Sequence, residues 1–174
     1  GTVSFDSENY KIADTVVVTV DDQDLNTDSE LIDVYVTKAD DKVGDGSGDH
    51  ILDITFNDSL WVDANSDATD CNDGVGSTIE DISGSDGLQD SGFTLVETSL
   101  DSGIFVGSFQ VPSNYCLTDG AGGNTDKVTT TTGTDIEANY NDYRDASGET
   151  IEVGAGASIN ANTGSVTFDR TVYP

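Results

Sequence analysis

Leu31-Ile32-Asp33-Val34-Tyr35-Val36-Thr37 sets an aliphatic residue at every second position, Ile32, Val34 and Val36. Successive side chains of a strand point to opposite faces, so this period of two predicts a half-buried β-strand. Phe93 and Leu95 repeat the pattern. Runs rich in Val, Ile, Thr, Phe and Tyr also cover 2–6, 15–20, 51–56, 93–98, 104–111, 127–131, 135–140, 150–153 and 165–169. No segment places apolar residues at i, i+3, i+4 and i+7 through two turns, and frequent Asp, Gly and Asn would interrupt a helix. Short strands at roughly 8–12-residue spacing predict an all-β fold, an Ig-like antiparallel β-sandwich with long acidic loops.

The chain has 174 residues, with 34 Asp and Glu against 6 Lys and Arg, for a formal net charge of -28. That length predicts one globular unit or at most two small β modules. The charge argues against nucleic acid, whose phosphates need clustered Lys and Arg, and against an anionic membrane surface. No apolar run approaches the roughly 18 residues of a spanning helix, so no membrane insertion is expected within this chain. The hydrophobic fraction of 34% is low, but the 19 glycines bring it near the ordinary range, and the apolar residues are clustered in runs. Order is therefore expected over disorder. The absence of Met and of a signal peptide reads as a processed chain or an excerpt from a longer one.

Cys71 and Cys116 are the two cysteines. In an acidic chain rich in Thr, Ser and Gly they suggest one disulfide in an oxidising compartment; two free thiols in a cytosolic protein are the alternative. The bridge would close a loop of about 46 residues and constrain the unfolded chain by roughly 4 kcal/mol. It would pin the acidic stretch from Trp61 to Gly92, too long for an ordinary connection. One His, His50, cannot complete a zinc site with two distant cysteines.

Gly1-Thr2-Val3-Ser4-Phe5-Asp6 is echoed by Gly164-Ser165-Val166-Thr167-Phe168-Asp169, and Tyr10 and Tyr173 keep the same offset. A unit at 1–163 followed at 164–174 by the start of another repeat accounts for this. A terminal strand donated to a neighbouring subunit is the alternative.

Asp22, Asp24, Asn26 and Asp28 present oxygen-bearing side chains at every second residue directly after a strand. Asp63, Asn65 and Asp67 repeat the spacing, followed by Asp70 and Asp73. Calcium takes six to eight oxygens, and D-x-[DN]-x-[DN] lets a short loop deliver several. Neither loop is an EF-hand: the sixth and twelfth positions from Asp63 are Ala68 and Gly74, where Gly and Glu are required. Carboxylates held about 4 Å apart repel by about 4 kcal/mol per pair at an effective dielectric of 20, a penalty that a divalent cation removes. A solvated acidic surface is the competing explanation for any single Asp. Asp142 and Asp145 either ligate metal or cap a turn beside Arg144. Asn57-Asp58-Ser59 is an N-x-[ST] sequon.

Enzyme signatures are missing: there is no G-x-S-x-G, GxxxxGK[ST] or H-E-x-x-H. With 34 acids a carboxylate pair arises by number alone, so none is informative and no catalytic residue is nominated. Trp61 and Tyr143 are few aromatics for a carbohydrate-binding face, the binding-module alternative.

Phe93-Thr94-Leu95-Val96-Glu97-Thr98, Ser102-Gly103-Ile104-Phe105-Val106-Gly107-Ser108-Phe109, Gly133-Thr134-Asp135-Ile136-Glu137-Ala138-Asn139-Tyr140 with Asp142, and the stretch from Gly164 to Pro174 come in an order of their own. That order resembles the repeated Ig-like modules of archaeal surface-layer (S-layer) proteins of the ammonia-oxidising archaea type. The resemblance implies a non-catalytic, extracellular structural module at the cell surface, stabilised by Ca2+, acidic, and joined head to tail with copies of itself. Its negative surface would attract small cations. Strand-exchanged extracellular filaments share much of the same vocabulary.

Overall fold

The computed structural model describes residues 1–36, 51–57, 61–63, 94–117, 127–161, 164, 166 and 167; at 36, 61–63, 116, 117, 127 and 128 it describes the backbone alone. Period-two sequence becomes strand almost throughout. The strands are β1 (Thr2–Phe5), β2 (Asn9–Tyr10), β3 (Thr15–Asp21), β4 (Val34–Val36), β5 (Leu52–Phe56), β6 (Trp61–Asp63), β7 (Thr94–Glu97), β8 (Ile104–Gln110), β9 (Asn114–Leu117), β10 (Lys127–Thr130), β11 (Asp135–Asp142) and β12 (Ile151–Ile159). One 3-10 turn, Gln23–Leu25, follows β3.

Five strands form a sheet in the order β1-β3-β8-β7-β4, and four form a second in the order β2-β12-β11-β5. A small third sheet, β10-β9-β6, carries Tyr115, whose ring lies 5.1 Å from that of Phe56 at the end of β5. The pairings are antiparallel except that of β2 with β12. The fold is all-β and sandwich-like: Val16, Val18 and Val20 of β3 and Phe105 of β8 share one buried cluster with Ile54 of β5 and Ile136 and Ala138 of β11.

The first ten residues belong to both large sheets. Thr2 to Phe5 pair with Val18 to Asp21, and Asn9 and Tyr10 pair with Ser158 and Ile159. The crossing is held at Asp6, whose Oδ1 accepts from the Tyr10 hydroxyl at 2.6 Å and from the Val17 N–H at 2.9 Å. Phe5 packs edge-on against Tyr10, with ring centroids 6.2 Å apart.

Two expectations need amending. At the described positions the alternation faces the other way: Ile32, just ahead of β4, and Val34 within it are 42% and 54% exposed, whereas Tyr35 points inward, its ring centroid 5.5 Å from that of Phe105. The Tyr35 hydroxyl donates to the Leu25 carbonyl at 2.6 Å, so an aromatic that gains both packing and a hydrogen bond sets the strand's face. Val34, Val96 and Val106 stand side by side on the outer face instead. The strand predicted at 150–153 runs on to Ile159 through Gly154-Ala155-Gly156-Ala157, where pairing with every residue from Asp135 to Asp142 overrides weak local propensity. Strands β2, β6 and β9 were not anticipated; β2 and β6, of two and three residues, are too short to show a period.

Gly164, Val166 and Thr167 are exposed, Val166 at 93%; the remainder of 165–174 lies outside the described residues, as does most of the acidic stretch between Trp61 and Gly92. Phe105 is fully buried at the centre of the five-stranded sheet. Phe105→Ala is expected to lower unfolding free energy by about 3–5 kcal/mol, and Val34→Ala by less than about 1 kcal/mol. Urea denaturation of the two variants checks the contrast.

Candidate functional site

The inward alternation of three strands ends in an acid. Val16, Val18 and Val20 lead to Asp22; Ile136, Ala138 and Tyr140 lead to Asp142; Leu95 leads to Glu97. Asp22, Asp142 and Glu97 are 7%, 1% and 3% exposed. Register places Glu97 beside Phe105, which in turn pairs with Val20, so Glu97 and Asp22 stand at the same end of the five-stranded sheet.

Asp22 and Asp142 meet at the start of the chain. Thr2 pairs with Asp21, which sets Gly1 next to Asp22. The Gly1 α-ammonium donates a short hydrogen bond to Asp142 Oδ2 and lies 3.7 Å from Asp22 Oδ2. From the opposite sheet the Tyr140 hydroxyl donates to the same Asp22 Oδ2 at 2.5 Å. Asp22 Oδ1 caps the 3-10 turn by accepting from the Asp24 N–H at 2.9 Å, and Asp142 Oδ1 accepts from the Arg144 N–H at 2.9 Å. Burial, then the bond to Asp22, pushes the Tyr140 hydroxyl far above the ordinary phenol range, so it remains a donor. The bond to Asp142 outweighs burial at Gly1 and raises its ammonium above the usual chain-terminus value.

Glu97 is held differently, by backbone alone and one hydroxyl. Oε1 accepts from the N–H groups of Ser102 and Gly103 at 2.8 and 3.0 Å and from the Ser102 hydroxyl at 3.4 Å; Oε2 accepts from the Asp33 N–H at 3.2 Å. Burial would raise its pKa, but these donors prevail and hold it below the ordinary value. The loop they close needs Gly103: its φ is +63°, and a Cβ there would come within 2.9 Å of the Gln23 Cα.

The remaining nominated residues find separate partners. Asn26 Nδ2 donates to Asp101 Oδ1 at 2.7 Å, and Asp28 Oδ1 accepts from the Glu30 N–H at 2.9 Å. Asn26 and Asp28 therefore do not converge with Asp22 on one point, although Asn26 Oδ1 is buried without a hydrogen-bond partner among the described residues. Asp145 Oδ1 caps its turn, accepting from the Ser147 N–H and hydroxyl and from the Glu149 N–H. Among the described residues no three of His, Cys, Asp and Glu gather as metal ligands. Asn57 stands exposed with a φ of +48°, its Oδ1 accepting from the Asp135 N–H at 2.9 Å. Asn65, Asp67, Asp70, Asp73 and Cys71 lie outside the described residues, as do the side chains of Trp61, Asp63 and Cys116; the Cys116 backbone pairs with Val62 and Val128. Tyr143 is half-buried.

Glu97 and Tyr140 were not singled out from sequence as site residues. For Glu97 the signal is period two continued from Leu95 into the first acid, and for Tyr140 it is the last inward position before Asp142. No protein-family model matches the chain, and no curated protein is detectably similar to it.

A carboxylate whose folded pKa is depressed stabilises the fold above its unfolded pKa and loses that contribution as pH falls through the folded value. Glu97→Gln is therefore expected to lower the melting temperature at pH 7, and the gap to the unsubstituted chain should narrow below the ordinary glutamate value of 4.5. Melting curves taken stepwise from neutral to acid pH check it; a gap that is constant with pH contradicts the role assigned to the charge.

Proposed function

We propose that this chain is a structural, non-catalytic module of an extracellular, S-layer-type cell-surface assembly, joined to copies of itself and stabilised by calcium among its carboxylates. The observation that carries the reading is the burial of two carboxylates, Asp22 and Asp142, at the meeting of the two large sheets in a chain of net charge -28. Buried carboxylates demand compensation, and 6 basic residues against 34 acids supply little of it. Asp22 and Asp142 bring buried carboxylates from both large sheets to one place, a donor set that suits a hard, oxygen-preferring ion, and bound calcium would supply positive charge there. Even about seven divalent ions would leave roughly -14, enough for a field that attracts small cations and repels anions.

A second reading is a filament subunit polymerised by strand exchange. What favours it is Val166, apolar and 93% exposed, within a segment that repeats the sequence of β1. The N-x-S sequon at Asn57 and a Cys71–Cys116 bridge belong to either extracellular setting.

Electron microscopy of purified chain at high concentration, with calcium and then with excess chelator, separates the outcomes. Sheets that form with calcium and dissolve with chelator are expected. Fibres would select the filament, and monomers under both conditions would overturn assembly.

A further inference from the structure

We propose that the outer face of the five-stranded sheet, centred on Val34, Val96 and Val106, is a contact surface for a second copy of this chain. The inference deepens the reading that copies of the chain join, on which it rests, and names one face through which they do so.

The face is apolar in a chain of 34 acids. Val34 of β4 pairs with Val96 of β7, and Val96 pairs with Val106 of β8, so the three valines form one row across three strands. Period two puts Ile104 on the same face of β8 and Ile32 on the same side just ahead of β4. Ile32, Val34, Val96 and Ile104 are 42%, 54%, 41% and 37% exposed. Strand β4 ends the sheet, so its far edge is unpaired among the described residues. Of the described outward positions on the five strands, Asp21 alone is charged, and it lies at the end of β3. The outward positions of β5, β11 and β12 instead carry Asp53, Asp135, Glu137 and Glu152.

Charge selects the occupant. Two copies of a chain of net charge -28 repel, and the contact that costs least sets no carboxylate against another. Both sides meet that condition when the second copy presents the same face, which is the isologous contact of a two-fold pair. A basic partner would be drawn to the acids of the opposite sheet and gain nothing from valines. Sheets pack face to face about 10 Å apart through interdigitating side chains, and a row of β-branched residues suits that packing. Five strands about 4.8 Å apart, with outward residues about 6.6 Å apart along each, make a face of roughly 400 Å², or about 800 Å² buried in a pair. A stable pair needs about 1,000 Å² or more, so this contact is weak alone and gains strength where an assembly repeats it. Its drive is apolar and its opposition is like charge, so salt strengthens it.

Sedimentation equilibrium of the full chain in excess chelator tests this, at about 0.05 M and about 1 M NaCl, the higher salt cutting the Debye length to about 3 Å. A monomer–dimer equilibrium is expected, with a Kd of about 0.1–1 mM at high salt and about tenfold weaker at low salt. Val96→Asp and Val34→Asp, checked for folding by circular dichroism, should each weaken it at least about tenfold at high salt, because each buries a carboxylate in the contact. Val96→Thr keeps the shape and the strand preference; it should weaken the pair about threefold and reads the contact should either acid unfold the chain. Asn139→Asp adds the same charge on the opposite sheet and should leave the pair unchanged. A chain monomeric at every concentration, a dimer that weakens with salt, or one that these valine substitutions do not weaken more than Asn139→Asp would overturn the proposal. So would a monomer that binds a peptide of residues 164–174 and loses it in Val96→Asp, since a terminal segment would then be the occupant. Calcium is absent throughout, so loss of this dimer and loss of calcium-dependent sheets are separate results.

Discussion

The two large sheets are tied by a polar contact at the rim of their shared core: Tyr140 of one sheet donates to Asp22 at the end of the other, with Asp142 and the Gly1 ammonium beside them. In a sandwich the sheets otherwise meet through apolar side chains, which attract without direction. A hydrogen bond to a buried carboxylate has both direction and a penalty for being misplaced, because an unpartnered charge there costs several kcal/mol. Register follows from it. If β3 slipped by one residue against its neighbours, Asp22 would leave Tyr140, and Val16, Val18 and Val20 would turn to solvent.

A chain so rich in acids and so poor in bases has to satisfy its buried and half-buried carboxylates with something other than Lys and Arg. Backbone N–H groups do most of it here. Glu97 takes three, Asp145 takes two and a hydroxyl, and Asp33 takes the Thr27 and Asp28 N–H groups and the Thr27 hydroxyl. Among the described residues the ion pairs are those of the Gly1 ammonium with Asp22 and Asp142. Acids used as turn and loop acceptors bring order without opposite charge, which leaves the net negative field of the molecule intact.

Much of the sandwich was legible because β-branched and aromatic residues cluster at the strand period, as in β3, β8 and β11. Where the signal failed, tertiary contacts had the larger say. Tyr35 outweighs Ile32 and Val34 because its ring meets Phe105 and its hydroxyl finds the Leu25 carbonyl, neither visible in a local window. The Gly-Ala run of β12 is strand because β11 pairs with it along its length. At the site, Asp22 and Asp142 were each nominated as oxygen ligands for reasons local to their loops. Their meeting, across a separation of some 120 residues, depends on how the two sheets stack. Asn26 and Asp28 share the spacing of Asp22 but turn to other partners, because the 3-10 turn takes over the loop.

A double-mutant cycle on Asp22→Asn and Tyr140→Phe tests the inter-sheet tie most directly, with unfolding free energy measured in urea for the four proteins. The tie predicts a coupling of about 1–3 kcal/mol, since a buried hydrogen bond to a carboxylate is lost once, not twice. Effects that add to within about 0.5 kcal/mol would contradict it and would leave apolar packing alone to hold the sheets together.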